Sequence, residues 1–178
     1  MKLYTIGHGN LEPEPFINIL RENDVRWVAD VRSAPYSRMF PWFNRRSLSR
    51  SLKRAGIRYL FLGDKLGGRP PNGESGHEWR QGQLNYELVS QLRRTDRWID
   101  GITYLSGVIK AMSAQSEAGC LLCSETDPNN CHRSAIAFDL EAAVEDLSVR
   151  HLGHGSTLRE AKFQRSLFTV RDDRSDYH

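Results

Sequence analysis

No apolar run in this chain approaches the roughly 18 residues that cross a bilayer, and its opening, MKLYTIGHGNLEPEP, lacks the apolar core of a signal peptide. A cytoplasmic protein without a membrane partner is the expectation. Cysteine is scarce, with only Cys120, Cys123 and Cys131. Three are too few for a disulfide framework and the odd number suits a reducing compartment, so free thiols are expected. Acidic residues are missing altogether from Val31 through Gly63. Lysine is rare as well: 20 of the 25 basic residues are arginine, whose planar fork suits bidentate phosphate contacts. Repeats and low-complexity segments are absent, which excludes a solenoid or an array.

What is present is 178 residues, enough for one domain with a substantial core. The net charge of +3 hides an asymmetry, because residues 1–70 hold 13 Lys/Arg against 6 Asp/Glu while the rest of the chain is acidic. Such a block points to phosphate-bearing partners or to a solvated helix face.

Apolar patterning alternates between strand and helix periods. Lys2 to Ile6 reads as a strand closed by the turn Gly7-His8-Gly9-Asn10, and Pro13 and Pro15 open a helix with Phe16, Ile17, Ile19 and Leu20 on one face. Arg26 to Val31 is a second strand, broken in polarity only by Asp30. After the Pro35 loop and the aromatics Phe40, Trp42 and Phe43, residues Arg45 to Ala55 predict a basic amphipathic helix ended by Gly56. Ile57 to Leu62 is a third strand. Residues 63–82, with six glycines and two prolines, predict a long loop that would act as a lid. Helices are expected over Leu84–Arg94 and Trp98–Ala114, a strand at Gly119–Cys123, a helix over Ser134–Asp146, a last strand at Ser148–Leu152, and a further helix with a fraying tail from Ser156. The whole predicts an α/β fold in three layers, a mostly parallel sheet flanked by helices on both faces. One such domain would span 1–155, with 156–178 appended.

In an open sheet of this kind, ligands bind beyond the carboxyl ends of the strands. Each polar motif falls just past such an end: His8, then Asp30 and Arg32, then Lys65, then the run from Cys123 to Arg133. That last run is a strand, a polar loop and a helix start, where unpaired amides favour an anion. Asp30, inside an apolar strand, needs a partner such as Arg32, Arg133 or backbone amides. His8 lies between glycines that let backbone approach a ligand or simply make a turn. The cluster of Tyr36, Phe40, Trp42 and Phe43 would stack bases or cover the sheet.

Cys120-x2-Cys123 with Cys131-His132 suggests zinc, but residues three apart in a strand point to opposite faces, so no metal site is expected. Cys120 reads as a buried small residue, and Cys123 or Cys131 as the candidate nucleophile near Arg133. The arrangement is similar to the cysteine loop of rhodanese-type sulfurtransferases and cysteine phosphatases, with a longer spacing and with Glu125 and Asp127 intervening. His132 is a candidate acid or base.

Taken together, Thr5-Ile6-Gly7-His8, Asp30-Val31-Arg32 with Pro35 and Ser37, Phe43-Asn44, Gly56-Ile57 with Tyr59, Leu66-Gly67-Gly68, and the string from Cys123 through Pro128 to Cys131-His132-Arg133 resemble the domain of unknown function 488 family, in order from residue 3 to about His151. The resemblance implies a compact α/β domain and no established reaction. The leading expectation is an enzyme for a phosphate-bearing substrate, a nucleotide or nucleic acid. Arg32, Ser37, Lys65 and Arg133 would bind it, and His8, Asp30, Cys123, Glu125, Cys131 and His132 would supply the chemistry. A non-catalytic nucleic-acid-binding module and a thiol-based sulfurtransferase or redox protein are the alternatives. No feature indicates a cofactor or an oligomeric state.

Overall fold

The computed structural model describes residues 1–70, 79–80, 83–154 and 158–159. Five parallel strands form the sheet: β1 (Lys2–Gly7), β2 (Val25–Asp30), β3 (Arg58–Phe61), β6 (Ala118–Cys123) and β7 (Ser148–Leu152), in the order β3-β2-β6-β1-β7. The two-residue β8 (Leu158–Arg159) adds an antiparallel edge beside β7, and β4 (Trp79–Arg80) with β5 (Gln83–Leu84) makes a separate antiparallel pair.

Helices cover both faces, so the predicted three-layer α/β architecture is the observed one. One face carries α1 (Pro13–Glu22) and α2 (Arg45–Arg54), whose Phe16, Ile17, Leu20, Leu48 and Leu52 pack on Tyr4, Ile6, Val28, Cys120 and Leu122. The other carries α4 (Tyr86–Arg93), α5 (Asp96–Ser113) and α6 (Arg133–Ala143), packed on Leu3, Trp27, Ala29, Leu121 and Val149. Buried side chains at i, i+4 on α2 leave its arginines outside, and Gly56, at φ 76°, stops the helix in a left-handed turn that a Cβ disfavours.

Two expectations are corrected. The stretch read as an unbroken loop from residue 63 opens with a one-turn helix, α3 (Gly63–Leu66), because Leu66 is buried under α5. Residues 71–78 and 81–82, the body of the expected lid, lie outside the described residues. The C-terminal helix is replaced at Leu158–Arg159 by strand pairing with β7, whose free edge offers unpaired amides; the remainder of that segment also lies outside the described residues.

Strand β6 is inserted between β1 and β2 although it follows β3 in sequence. The connections after β1 and β2 therefore leave on one face and that after β6 on the other, which opens a crevice at their carboxyl ends.

Candidate functional site at the carboxyl edge of the sheet

Side chains alternate between faces along a strand, and this parity sorts the edge residues. On β2, Val28 lies beneath α1 and α2 while Trp27, Ala29 and Val31 face α5 and α6, so Asp30 belongs with Val28. On β6, Cys120 and Leu122 take the first face, Leu121 and Cys123 the second. The motifs meet at one edge and separate into two clusters, one on each face.

The first cluster centres on Asp30, which is fully buried. Its carboxylate accepts from Arg32 Nε at 2.8 Å, Arg32 Nη2 at 2.6 Å, the Arg32 backbone N–H at 3.1 Å and the Tyr59 hydroxyl at 2.7 Å. Arg32 also donates from Nη2 to the Phe43 carbonyl at 2.9 Å and faces His8 Nε2 from Nη1 at 3.2 Å. With Nδ1–H donated to the Gly9 carbonyl at 2.9 Å, His8 presents Nε2 as an acceptor to that guanidinium. Its ring stacks on Phe43, centroids 4.1 Å apart. Burial first and the Arg32 charge second push the His8 pKa down to about 4, so the imidazole is neutral at physiological pH. Burial, with the Asp30 charge behind it, raises the Tyr59 hydroxyl far above its usual range.

Beside this cluster, α2 and the edge strand β3 enclose a groove of about 700 Å³ lined by Arg45, Arg46, Ser49, Arg50, Lys53, Tyr59 and Phe61. Arg45 lies over the Phe61 ring, 3.8 Å from its centroid. None of the four cations is in an ion pair among the described residues.

The second cluster is built by the loop from β6 to α6. The β1 ladder continues past its end, with the His8 N–H on the Cys123 carbonyl at 3.0 Å and the Gly9 N–H on the Ser124 carbonyl at 2.9 Å. Gly7 is required for this approach, since a Cβ there would sit 1.6 Å from the Glu125 carbonyl oxygen. Arg133, 1% exposed, holds the loop from the first turn of α6, donating to the carbonyls of Glu125 and Thr126 and to Thr5 Oγ1 at 3.3 Å. All three acceptors are uncharged. Cys123 Sγ lies 2.9 Å and Cys131 Sγ 3.3 Å from the same Glu125 oxygen, Oε2. His132 Nδ1 is 4.0 Å from Cys123 Sγ, and its Nε2 meets the Val31 carbonyl at 3.1 Å. Burial alone would raise the Cys131 thiol, but hydrogen bonding to Cys123, the Arg133 charge and His132 outweigh it and hold Cys131 well below the usual thiol range.

Cys120 is on the opposite face, where burial pushes its thiol up, so the parity argument removes it from the site. That argument does not reach Cys131 and His132. Cys131 is extended (φ −149°) and His132 helical (φ −59°), and this break in the backbone lets adjacent side chains turn to one point.

Ser37 and Lys65 stand apart from both clusters. Ser37 folds its own loop, its hydroxyl accepting from the Phe40 N–H and its N–H donating to Asn44 Oδ1, while Lys65 pairs with Asp100 on α5 at 3.4 Å. Sequence reasoning missed Thr5, His151 and His154. Thr5 Oγ1 bridges Arg133 and His151 Nδ1, and His154 Nε2 lies 2.7 Å from the Gly7 carbonyl. The two histidines line a further hollow of about 490 Å³ with Thr126 to Asn129. Burial, then Arg133, lowers the His151 pKa to about 4. The signal for His154 was a second strand-end motif, Gly153-His154, placed after β7 as Gly7-His8 is at the end of β1.

No curated protein and no solved structure matches the chain. A family model does, over residues 12–138, a span that includes Asp30, Arg32 and Tyr59 of the first cluster and Cys123 to Arg133 of the second, and leaves out Thr5, His8, His151 and His154. By that match the chain belongs to the family described as domain of unknown function DUF488.

Proposed function

We propose that the protein binds a phosphate-bearing partner, single-stranded nucleic acid in the first instance, along the groove between α2 and β3. The observation that carries this is the set Arg45, Arg46, Arg50 and Lys53 around the exposed parts of Tyr59 and Phe61, four cations without a carboxylate partner among the described residues. From Arg46 to Lys53 the cations follow about 10 Å of helix. That length spans more than one phosphate, which favours a strand over a mononucleotide, and the Arg45 guanidinium, lying over the Phe61 ring, offers its outer plane for a base to stack on. Arg32 and Arg133 contribute by shaping the edge, because their donors are engaged inside the protein.

His8, neutral and stacked on Phe43, holds the Arg32 guanidinium from the other side and so helps to position the network that carries Tyr59 to the groove. The three cysteines form no disulfide with one another, which supports a reducing, cytoplasmic setting.

Titration of a labelled single-stranded oligonucleotide at several salt concentrations tests the reading. Affinity should fall with a log–log slope of about −0.7 per phosphate contacted, and Arg50→Ala should flatten the slope by about that amount. Salt-insensitive binding, or an unchanged slope in Arg50→Ala, would overturn it.

A further inference from the structure

The loop between β6 and α6 brings four donor groups to one point on the face opposite the α2 groove. The ligand atoms of Cys123, Cys131 and His132 all lie within 4.8 Å of one another, and Glu125 Oε2 lies 2.9 Å from one sulfur and 3.3 Å from the other. We propose that Cys123, Cys131, His132 and Glu125 bind one divalent cation of the zinc class.

Three observations support this site. The first is geometry. Zinc held at about 2.0–2.3 Å by nitrogen, oxygen and sulfur sets its ligands roughly 3.5–3.8 Å apart, and the contacts of 2.9, 3.3 and 4.0 Å around Cys123 and Glu125 bracket that range. The shortest contact has to open by about 0.6 Å, and the widest spacing, at most 4.8 Å, has to close by up to about 1 Å, to make the tetrahedron.

The second is the orientation of His132. Its Nε2 donates to the Val31 carbonyl at 3.1 Å. This leaves Nδ1 as the lone-pair nitrogen on the side of the two sulfurs, and a backbone carbonyl on the far nitrogen is the outer contact that fixes a metal-binding histidine in its tautomer.

The third is charge. Two thiols and a carboxylate packed at contact distance repel one another when ionised, so either protons or a cation must lie between them. Arg133, buried beside them, donates to three uncharged oxygens and is held charged by the neighbouring sulfurs of Cys131 and Cys123 and by Glu125. A divalent cation with two thiolates and one carboxylate carries one net negative charge, which balances Arg133. Softness agrees, since two thiolates and an imidazole favour zinc over calcium or magnesium. Cys123, Cys131 and His132 are each at most 2% exposed, while Glu125 is partly exposed and marks the side of entry. A closed set of four protein ligands is the structural type of zinc site. Here it would pin the loop of Ser124 to Asn130 to the sheet edge.

The test is a cobalt(II) titration of the full chain, purified without a polyhistidine tag, chelator-treated and kept reduced. One equivalent should give the visible bands of a tetrahedral ion with thiolate-to-cobalt charge transfer, and zinc should displace it. Cys120→Ala should behave as wild type. Cys123→Ser and Cys131→Ser should lose charge-transfer intensity and weaken binding by more than the roughly 100-fold that an outer contact is worth. Where a serine variant fails to fold by circular dichroism, alkylation of the wild type replaces it: zinc should protect Cys123 and Cys131 from alkylation, with the sites located by mass spectrometry. Absence of cobalt bands in the reduced wild type, bands unchanged in a folded serine variant, or alkylation indifferent to zinc would each overturn the proposal. Oligonucleotide binding is measured separately, so the two readings fail independently.

Discussion

The two faces of the sheet edge solve the problem of buried charge in opposite ways. Under α1 and α2, Asp30 and Arg32 form a bidentate pair closed by Tyr59, Phe43 and His8, so each charge has its counter-charge and its hydrogen bonds within the protein. Under α5 and α6, Arg133 donates to neutral oxygens and lies against the Cys131 sulfur, while two thiols crowd one carboxylate. One face is complete as built. The other is completed by protons or by a cation. A closed network positions its neighbours, here the α2 groove through Tyr59, whereas a cluster of excess ligands has the means to take something up.

The largest effect should come from opening the closed face. Asp30→Ala leaves the Arg32 guanidinium buried without its counter-charge, and such a change costs roughly 3–5 kcal/mol at a site where the carboxylate is fully buried. Denaturant midpoints would show it. Exchanging both Asp30 and Arg32 for apolar residues should cost less than Asp30→Ala alone, since no orphaned charge remains. If the double variant were the less stable of the two, the pair would be worth more than the network argument allows.

Acid should stress both faces through one histidine each. His8 and His151 are both held near pKa 4 by burial and by an arginine, Arg32 in one case and Arg133 in the other, against about 6.5 when unfolded. The unfolded chain therefore binds more protons between these values. Stability is complete above about pH 6.5, falls as the pH drops towards 4, and levels below that, by up to roughly 3 kcal/mol for each histidine. His8→Phe, which keeps a ring against Phe43, should remove one half of the slope and His151→Leu the other. Equal pH profiles for wild type and His8→Phe would show that the first face is not where protons enter.

Much of this was legible in the sequence. Strand and helix periods gave the three layers, and the edge at which polar motifs collect followed from parallel strands. The division into two faces was also within reach, because the parity that separates Cys120 from Cys123 equally separates Asp30 from Val31. The convergence of Cys131 and His132 was not, since it depends on a change in backbone conformation between neighbours that spacing does not encode. Thr5 and His151 were hidden for another reason. Each sits inside a strand, where a polar residue gains meaning only when the strand pairing β1 to β7 sets Thr5 opposite His151.

The smallest effect is expected at Lys65. As the first basic side chain after β3 it qualified by position as a phosphate contact, yet its amine reaches Asp100, and both side chains are well exposed, at 38% and 67%. An exposed pair of this kind contributes about 0–1 kcal/mol and is screened by salt. Lys65→Ala should therefore shift the unfolding midpoint by less than about 0.5 kcal/mol and leave the salt slope of oligonucleotide binding as it is in wild type, whereas Arg50→Ala, equally harmless to stability, should flatten that slope. The contrast separates a cation that faces the α2 groove from one that merely follows a strand end. Identical binding losses in the two variants would mean that the ligand crosses the edge of the sheet rather than following α2.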